Sequence, residues 1–388
     1  MLSAAEQRKL TSEAIDLVRF PLAVMVVFIH TMSPNDPTFS MPADYGHLTG
    51  MDMCNLIRSF GTHVFSHIAV PTFFLISGYL FYKRLEKWDW AVWKEKMKSR
   101  WRTLIVPYFI WCLLYVLWNP YIIIPIKKIG AFFVKGKPLH SIIDYWDTVD
   151  IDWLHVLWDS HEWGGTNLNW LGQYVAHNTS PELVPFWFMR DLIVVVLLSP
   201  LIYWFVKRMG LWFVGLMGLC YISGVWPDIH GLRPTSLFFF SFGAWFTLKG
   251  HDLCSTLYKY KWGFYLPYMV LLPMMVYLDG KQTYGGKSVY IVIGVLTALC
   301  FCYYLVSRQG VKKNSLLVSS CFLIFAFHIF ILSDCGRLVQ KVIGTEQPWQ
   351  TTLSYILKPL LAITICVLFY YCLRRWLPSV CKVLTGGR

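Results

Sequence analysis

Ten apolar stretches succeed one another along the chain, at roughly 14–33, 60–82, 102–119, 184–206, 210–226, 233–249, 262–278, 288–306, 315–334 and 352–373. Each is near the ~20 residues that a helix needs to cross a bilayer. The pattern predicts an all-α polytopic membrane protein with about ten transmembrane helices. One interval breaks the rhythm. Between the third and fourth stretches, at 120–183, Asp144, Asp147, Asp150, Asp152, Asp159 and Glu162 lie among Trp146, Trp153, Trp158, Trp163 and Trp170. Loops this long are functional or disordered, and the tryptophans argue against disorder. Residues 151–158 have the make-up of a short interfacial helix. As an aromatic belt, the segment anchors at the membrane surface. As a binding surface, it offers rings for sugars to stack on and acids that accept hydroxyl hydrogen bonds.

The informative exceptions are polar residues inside apolar stretches. The first stretch holds Asp16, Arg19 and His30. A charge at mid-helix costs about 2.5–3.5 kcal/mol on insertion scales. Arg19 and His30 are eleven residues apart. At about 100° per residue that is about three turns plus 20°, so both face the same way, about 16 Å apart along the axis. Asp16 falls three residues before Arg19, near enough to pair with it. The three make a polar stripe that must face protein, not lipid.

Composition agrees with a membrane class. Hydrophobic residues are 56% of the chain, charged residues 15%, and mean hydropathy is +0.47. A soluble domain carries about 25% charged residues. The expectation is one transmembrane domain over 1–388, without a separate soluble catalytic domain. The first stretch does not read as a cleavable signal peptide, because it carries Asp16 and Arg19 and has no small-residue cleavage site.

The net charge of +13 suggests nucleic acid until the charges are placed. With the N-terminus inside, 22 of the 35 Lys and Arg fall on inner segments and ten on outer ones. The positive-inside rule then puts both termini in the cytoplasm. The basic charge is topological, and no nucleic-acid partner is expected. The eleven cysteines lie mostly within apolar stretches and form no paired CxxC motif. There they act as small apolar residues, and no metal site or disulfide framework is expected.

The same orientation sorts candidate residues by depth. Ser77 and Gly78 sit near the inner surface, level with Arg19, beside the basic inner loop 83–102 that holds Lys83 and Arg84. That loop reads either as topology and attraction to anionic lipid, or as a mouth for the phosphates of a nucleotide. Gly78 admits close approach of a ligand or of another helix. His30, His67, Arg190 and His328 fall in the outer halves of four stretches. Several ionisable groups at one depth point to a site. Asp191 adjoins Arg190, and that pair alone also reads as structural.

Four segments resemble the acyltransferase-3 family of bacterial integral-membrane acyltransferases. The first is the Arg19-x10-His30 stripe. The second is Phe73-Phe74-Leu75-Ile76-Ser77-Gly78, similar to the family's FF-x-x-SG segment. The third, Trp187-Phe188-Met189-Arg190-Asp191-Leu192, is similar to its WF-x-R-x-L segment. The fourth, Phe325-Ala326-Phe327-His328, is similar to a late aromatic-x-x-His. They occur in the family's order across residues 15–328. The resemblance implies transfer of a short acyl group, acetyl foremost, from acyl-CoA to a hydroxyl of a cell-envelope glycan or lipid-linked sugar. It also implies a place in the bacterial cytoplasmic membrane among its lipids. Acyl-CoA is a co-substrate, and no permanently bound cofactor is expected.

Such a transfer needs a base for the hydroxyl proton and donor groups for the tetrahedral oxyanion. His30 is the natural base, and the resemblance points to it with Arg19 as motif partner and Asp16 orienting Arg19. The choice between base and acyl-histidine nucleophile stays open. Arg19, Ser77, Gly78, Lys83 and Arg84 are the expected donor-side residues. His67, Trp187, Arg190, Asp191 and His328 are candidates for the oxyanion or acceptor side. His67 stands where relatives often have arginine, which leaves its role open. A transporter or flippase using the same intramembrane charges is the competing reading, against which the ordered segments weigh. A different membrane O-acyltransferase class is disfavoured by the Arg-to-His spacing.

Overall fold

The computed structural model describes residues 3–32, 36–83, 85, 88–118, 122–135, 151–163, 178–227, 229–279, 281, 283 and 285–387. Arg84 lies outside them, as do Asp144, Trp146, Asp147, Asp150 and Trp170 of the long loop.

The first helix, α1 (Ala4–Ile29), starts at a capping box. The Ser3 hydroxyl accepts from the Glu6 amide at 3.2 Å while the Glu6 carboxylate accepts from Ser3 N–H at 2.7 Å. It ends at His30, whose amide reaches back only to Val27 O. The next transmembrane helix runs from 50 to 82 but is not uniform. It begins as α2 (Gly50–Arg58), opens into a π turn at Ser59–Val64, tightens to 3-10 geometry at Phe65–Ile68, and resumes as α3 (Ala69–Tyr82). Two changes of helical pitch within ten residues break the 3.6 periodicity there, and such irregular turns recur at functional sites.

α4 (Trp90–Arg100) continues through a π turn, Trp101–Ile105, into α5 (Val106–Trp118). α6 (Ile124–Lys135) and the short α7 (Trp153–Trp158) precede a two-stranded hairpin. There β1 (His161–Trp163) pairs antiparallel with β2 (Asn178–Ser180), Glu162 opposite Thr179. Asp152 caps α7, where a short helix is expected at 151–158.

The remaining helices are α8 (Trp187–Leu197), α9 (Ser199–Met209), α10 (Leu211–Ser223), α11 (Pro234–Leu248) and α12 (Leu253–Lys259). They are followed by α13 (Trp262–Tyr277), α14 (Gly286–Gln309), α15 (Ser315–Ile343), α16 (Pro348–Trp376) and α17 (Pro378–Leu384).

This is an all-α, multi-pass membrane architecture. Among the described residues, five continuous helices are long and apolar enough to cross a bilayer: 50–82, 90–118, α14, α15 and α16. The stretch expected as one span at 184–206 instead bends by 66° between α8 and α9, and counts as a sixth crossing if the pair is one span. The break is at Leu198, just before Ser199-Pro200, where proline cannot continue the hydrogen-bond ladder. α10, α11 and α13 cover predicted stretches but are shorter, at 13, 15 and 16 residues. α1 is 26 residues long and carries the polar stripe.

Two close packings set the frame. α3 lies on α11 through glycines: a Cβ on Gly78 would sit 2.0 Å from Phe240 O, and one on Gly243 1.9 Å from Leu75 O. α1 packs on α15 along a seam of Ala23, Val27, Cys321 and Ile324.

Candidate active site

A cavity of about 370 Å³ opens where α1, α3, α4, α8, α11 and α15 converge. Its polar groups are few: Arg19 from α1, Ser77 from α3, Arg100 from the end of α4 and Ser319 from α15. Its walls are aromatic and aliphatic, with Phe73, Phe188, Phe322 and Phe325 among them. A mostly apolar pocket with a few charged groups at one end is the usual form of a ligand site. Arg19 is half-buried and held by Asp16, Nη1 to Oδ1 at 2.9 Å, while the other Asp16 oxygen meets Lys313 Nζ. Arg100 lies over the Phe81 ring, 5.6 Å from its centroid.

Arg100 was not singled out from the sequence. In a loop that is basic throughout, topology accounts for every Lys and Arg alike. The available signal was that Arg100 sits directly before an apolar stretch. Lys83 caps α3 with its ammonium 5.9 Å from the Tyr79 ring centroid and is outside the cavity lining. Gly78 has no room for a ligand, because the Phe240 backbone fills the space its side chain would take. Its expected donor-side role thus gives way to helix packing.

The cavity points toward the histidines. α1 and α15 run in the same direction: Arg19 and Cys321 share the cavity at one end, and His30 faces His328 at the other. The two imidazole centroids are 5.5 Å apart with planes inclined by 40°. Phe325, in the cavity wall, is three residues before His328, about 4.5 Å lower along the helix. His328 is fully buried. Its Nδ1 lies 2.9 Å from Ile324 O, and its Nε2 has no hydrogen-bond partner among the described residues.

His67 stands on the 3-10 turn, within electrostatic reach of His30, His63, Lys287 and Asp279. The π turn just before it is pinned to the end of α1 by Thr62, whose hydroxyl lies 3.1 Å from Phe28 O and 3.0 Å from Tyr355 OH. Just outside, Asp279 accepts from Ser59 at 2.7 Å and pairs with His63 Nδ1 at 2.7 Å. Burial works to raise the Asp279 pKa, but its hydrogen bonds with His63 and Ser59 outweigh this and hold it below the ordinary carboxylate range.

Arg190 is engaged elsewhere. Its Nε and Nη2 donate to Asp191 Oδ1 at 3.1 and 2.9 Å. Nη2 also donates to Thr179 O at 2.9 Å, and Nη1 to Thr179 Oγ1 at 3.0 Å and to Trp158 O. All five guanidinium N–H groups are thus spent, and both side chains of the pair are fully buried. Arg233 Nε lies 3.6 Å from the other Asp191 oxygen, with its guanidinium 4.0 Å over the Trp187 ring. Arg190, held by Asp191, therefore clamps the end of α7 and the hairpin onto α8, while Trp187 lies under Arg233. They do not join the histidine pair, and Arg190 keeps no N–H for an oxyanion.

Comparison with known proteins accords with this geometry. The profile of the acyltransferase-3 family, described as an acyltransferase domain, matches residues 12–371. The chain is 26% identical over 390 residues to the succinoglycan biosynthesis protein ExoH of Rhizobium meliloti (strain 1021), covering 97% of this chain and 92% of that protein. No solved structure matches. With the match spanning the cavity and both facing histidines, the chain belongs to the acyltransferase-3 family.

Proposed function

We propose that this acyltransferase moves a short acyl group, acetyl foremost, from cytoplasmic acyl-CoA to a hydroxyl of a cell-envelope glycan or lipid-linked sugar. It does so in a bacterial cytoplasmic membrane that it crosses about ten times, with both termini inside. The observation that carries this reading is the cavity itself, with Arg19 and Arg100 in its lining and the histidine pair farther along α1 and α15. At about 370 Å³ it is at the small end of the ~300–1,000 Å³ range of ligand pockets. That suits a thin pantetheine arm and its acyl group, and leaves the nucleotide at the basic mouth. A guanidinium fork suits phosphate oxygens.

In this scheme the hydroxyl oxygen attacks the thioester carbonyl, the hydroxyl proton passes to a histidine, and the C–S bond breaks. The proton then goes to the departing CoA thiolate. The cavity holds the two reactants in line and excludes water. The relative's part in making a glycan supports a saccharide acceptor.

Sealed, oriented vesicles carrying radiolabelled acetyl-CoA test the reading. Label should reach the glycan only when acetyl-CoA is on the face bearing Lys83 and Lys313, with the acceptor on the other. Transport of acceptor without covalent label rejects the enzyme reading. Acylation of an acceptor on the acetyl-CoA face rejects the trans-membrane scheme.

A further inference from the structure

His328 is a second functional histidine, and the structure says which of its nitrogens works. The ring is fully buried, between the cavity wall and His30. Nδ1 is 2.9 Å from Ile324 O. A carbonyl oxygen can only accept, so Nδ1 carries the hydrogen, and a neutral ring then presents a bare lone pair at Nε2. That atom has no partner among the described residues. A buried acceptor left without a partner is destabilising, so its partner is expected to arrive with the substrate. His30 lies opposite, with 5.5 Å between ring centroids and no hydrogen bond from it to Nε2.

We propose that His328 Nε2 is the base that accepts the proton of the acceptor hydroxyl, with its tautomer fixed by the Ile324 carbonyl. This rests on the transferase reading above and refines it. A base needs a third group to orient it, and His328 has one in Ile324 O. As the sugar oxygen forms its bond to the acyl carbon, its proton moves to Nε2. Nδ1–H stays on Ile324 O, and the His328 imidazolium returns the extra proton to the CoA thiolate as the C–S bond breaks. In its neutral form His328 has no N–H to offer an oxyanion, since its only one is spent on Ile324. His30 is thereby left for the acyl side of the reaction.

The test is His328→Asn in the full-length protein in nanodiscs. The asparagine amide nitrogen occupies the place of Nδ1 and keeps the bond to Ile324 O, while nothing occupies the place of Nε2. Transfer from acetyl-CoA to the glycan should fall about 10²–10⁴-fold in kcat, the usual range for loss of a general base. KM for acetyl-CoA and the melting profile should stay near wild type. A packing role for His328 predicts kcat near wild type, because the anchoring hydrogen bond survives in Asn. If the Asn variant loses the wild-type melting profile, His328→Gln replaces it. That variant supplies a neutral amide near Nε2 and carries the same expected loss of kcat. A folded variant that transfers within threefold of wild type overturns the inference and leaves the transferase reading standing. Wild-type protein that transfers nothing overturns both.

Discussion

Arg190 offers a sharp test of how charge is used in this fold. Arg190→Met removes five hydrogen bonds at once and leaves Asp191 buried beside Arg233 alone. Removing one partner of a buried ion pair costs about 3–5 kcal/mol, because the other charge stays desolvated. Trp158 O also loses its donor, whereas Thr179 O keeps Arg233 Nη2. The loss acts on the joint between α7, the hairpin and α8, so it should appear as local opening. About 3 kcal/mol corresponds to roughly a hundredfold faster amide exchange. Hydrogen exchange should therefore quicken across 151–163 and 178–182 while α14 and α16 keep their protection. Adding Asp191→Leu should restore part of the protection, since an apolar pair removes the orphaned carboxylate. Transfer per folded molecule should stay within about threefold. Unchanged exchange in Arg190→Met refutes the clamp. A loss of transfer near the ~10²–10³-fold cost of a missing oxyanion donor, with protection intact, returns Arg190 to the reacting centre.

Arg19→Lys keeps the charge but loses the planar fork, so acetyl-CoA affinity measured by calorimetry should fall at least about tenfold, and an unchanged affinity removes Arg19 from the donor site. His30→Ala should abolish transfer while the inserted protein still binds CoA; wild-type turnover in that variant excludes His30 from the chemistry. Gly78→Ala places a Cβ 2.0 Å from Phe240 O, where backbone must give way, so it should destabilise by at least the ~1–3 kcal/mol of an overpacked core, read by thermal melting, and a wild-type melt contradicts the α3–α11 contact. At the end of α7 Asp159 joins His155 and His230 at 2.7 and 2.9 Å. Its hydrogen bond raises the His155 pKa, so that contribution is complete below the unfolded value near 6.5 and is lost as pH rises through the folded one. Asp159 behaves oppositely: burial raises its pKa, but the hydrogen bonds with His230 and His155 outweigh it, and its contribution fades as pH falls through the lowered value. Protease cleavage within 151–163 should therefore be slower near pH 5.5 than near pH 8.5, and equal rates, or an undiminished difference in Asp159→Asn, refute this.

The sequence disclosed what lies on one helix and concealed what lies between helices. Asp16, Arg19 and His30 share a face by the 3.6 period alone, and the Asp16–Arg19 bond at 2.9 Å follows from local spacing. His328 was legible as a polar intruder, but its facing of His30 depends on how α1 and α15 pair. Arg190 was legible as an intramembrane charge. Its acceptors on Trp158 and Thr179 lie at the end of the short helix expected at 151–158 and on a hairpin that no periodicity announces. The ten apolar stretches found the helices, yet a hydropathy window averages across Leu198 and hides the 66° bend. Such a window also cannot see a change of pitch between 59 and 68, because it reads apolar content and not the hydrogen-bond pattern of the backbone.

The separation of the two ends of the site is set by helix geometry rather than by any one bond. Arg19 and His30 are fixed about 16 Å apart by the rise of α1. His328 has the matching height on α15 only if the two helices keep register. The Asp16–Lys313 bridge at the inner end is partly exposed, and pairs of that kind contribute about 0–1 kcal/mol. One helical turn of slippage is about 5.4 Å, enough to part the imidazoles. What opposes slippage is the interlocked seam of Ala23 and Val27 against Cys321 and Ile324, buried directly below the histidines. Ile324 has a double part: its side chain packs in that seam and its carbonyl accepts from His328 Nδ1. The residue that holds the register thus also holds the tautomer, and the apolar packing of α1 on α15 becomes part of the reaction geometry.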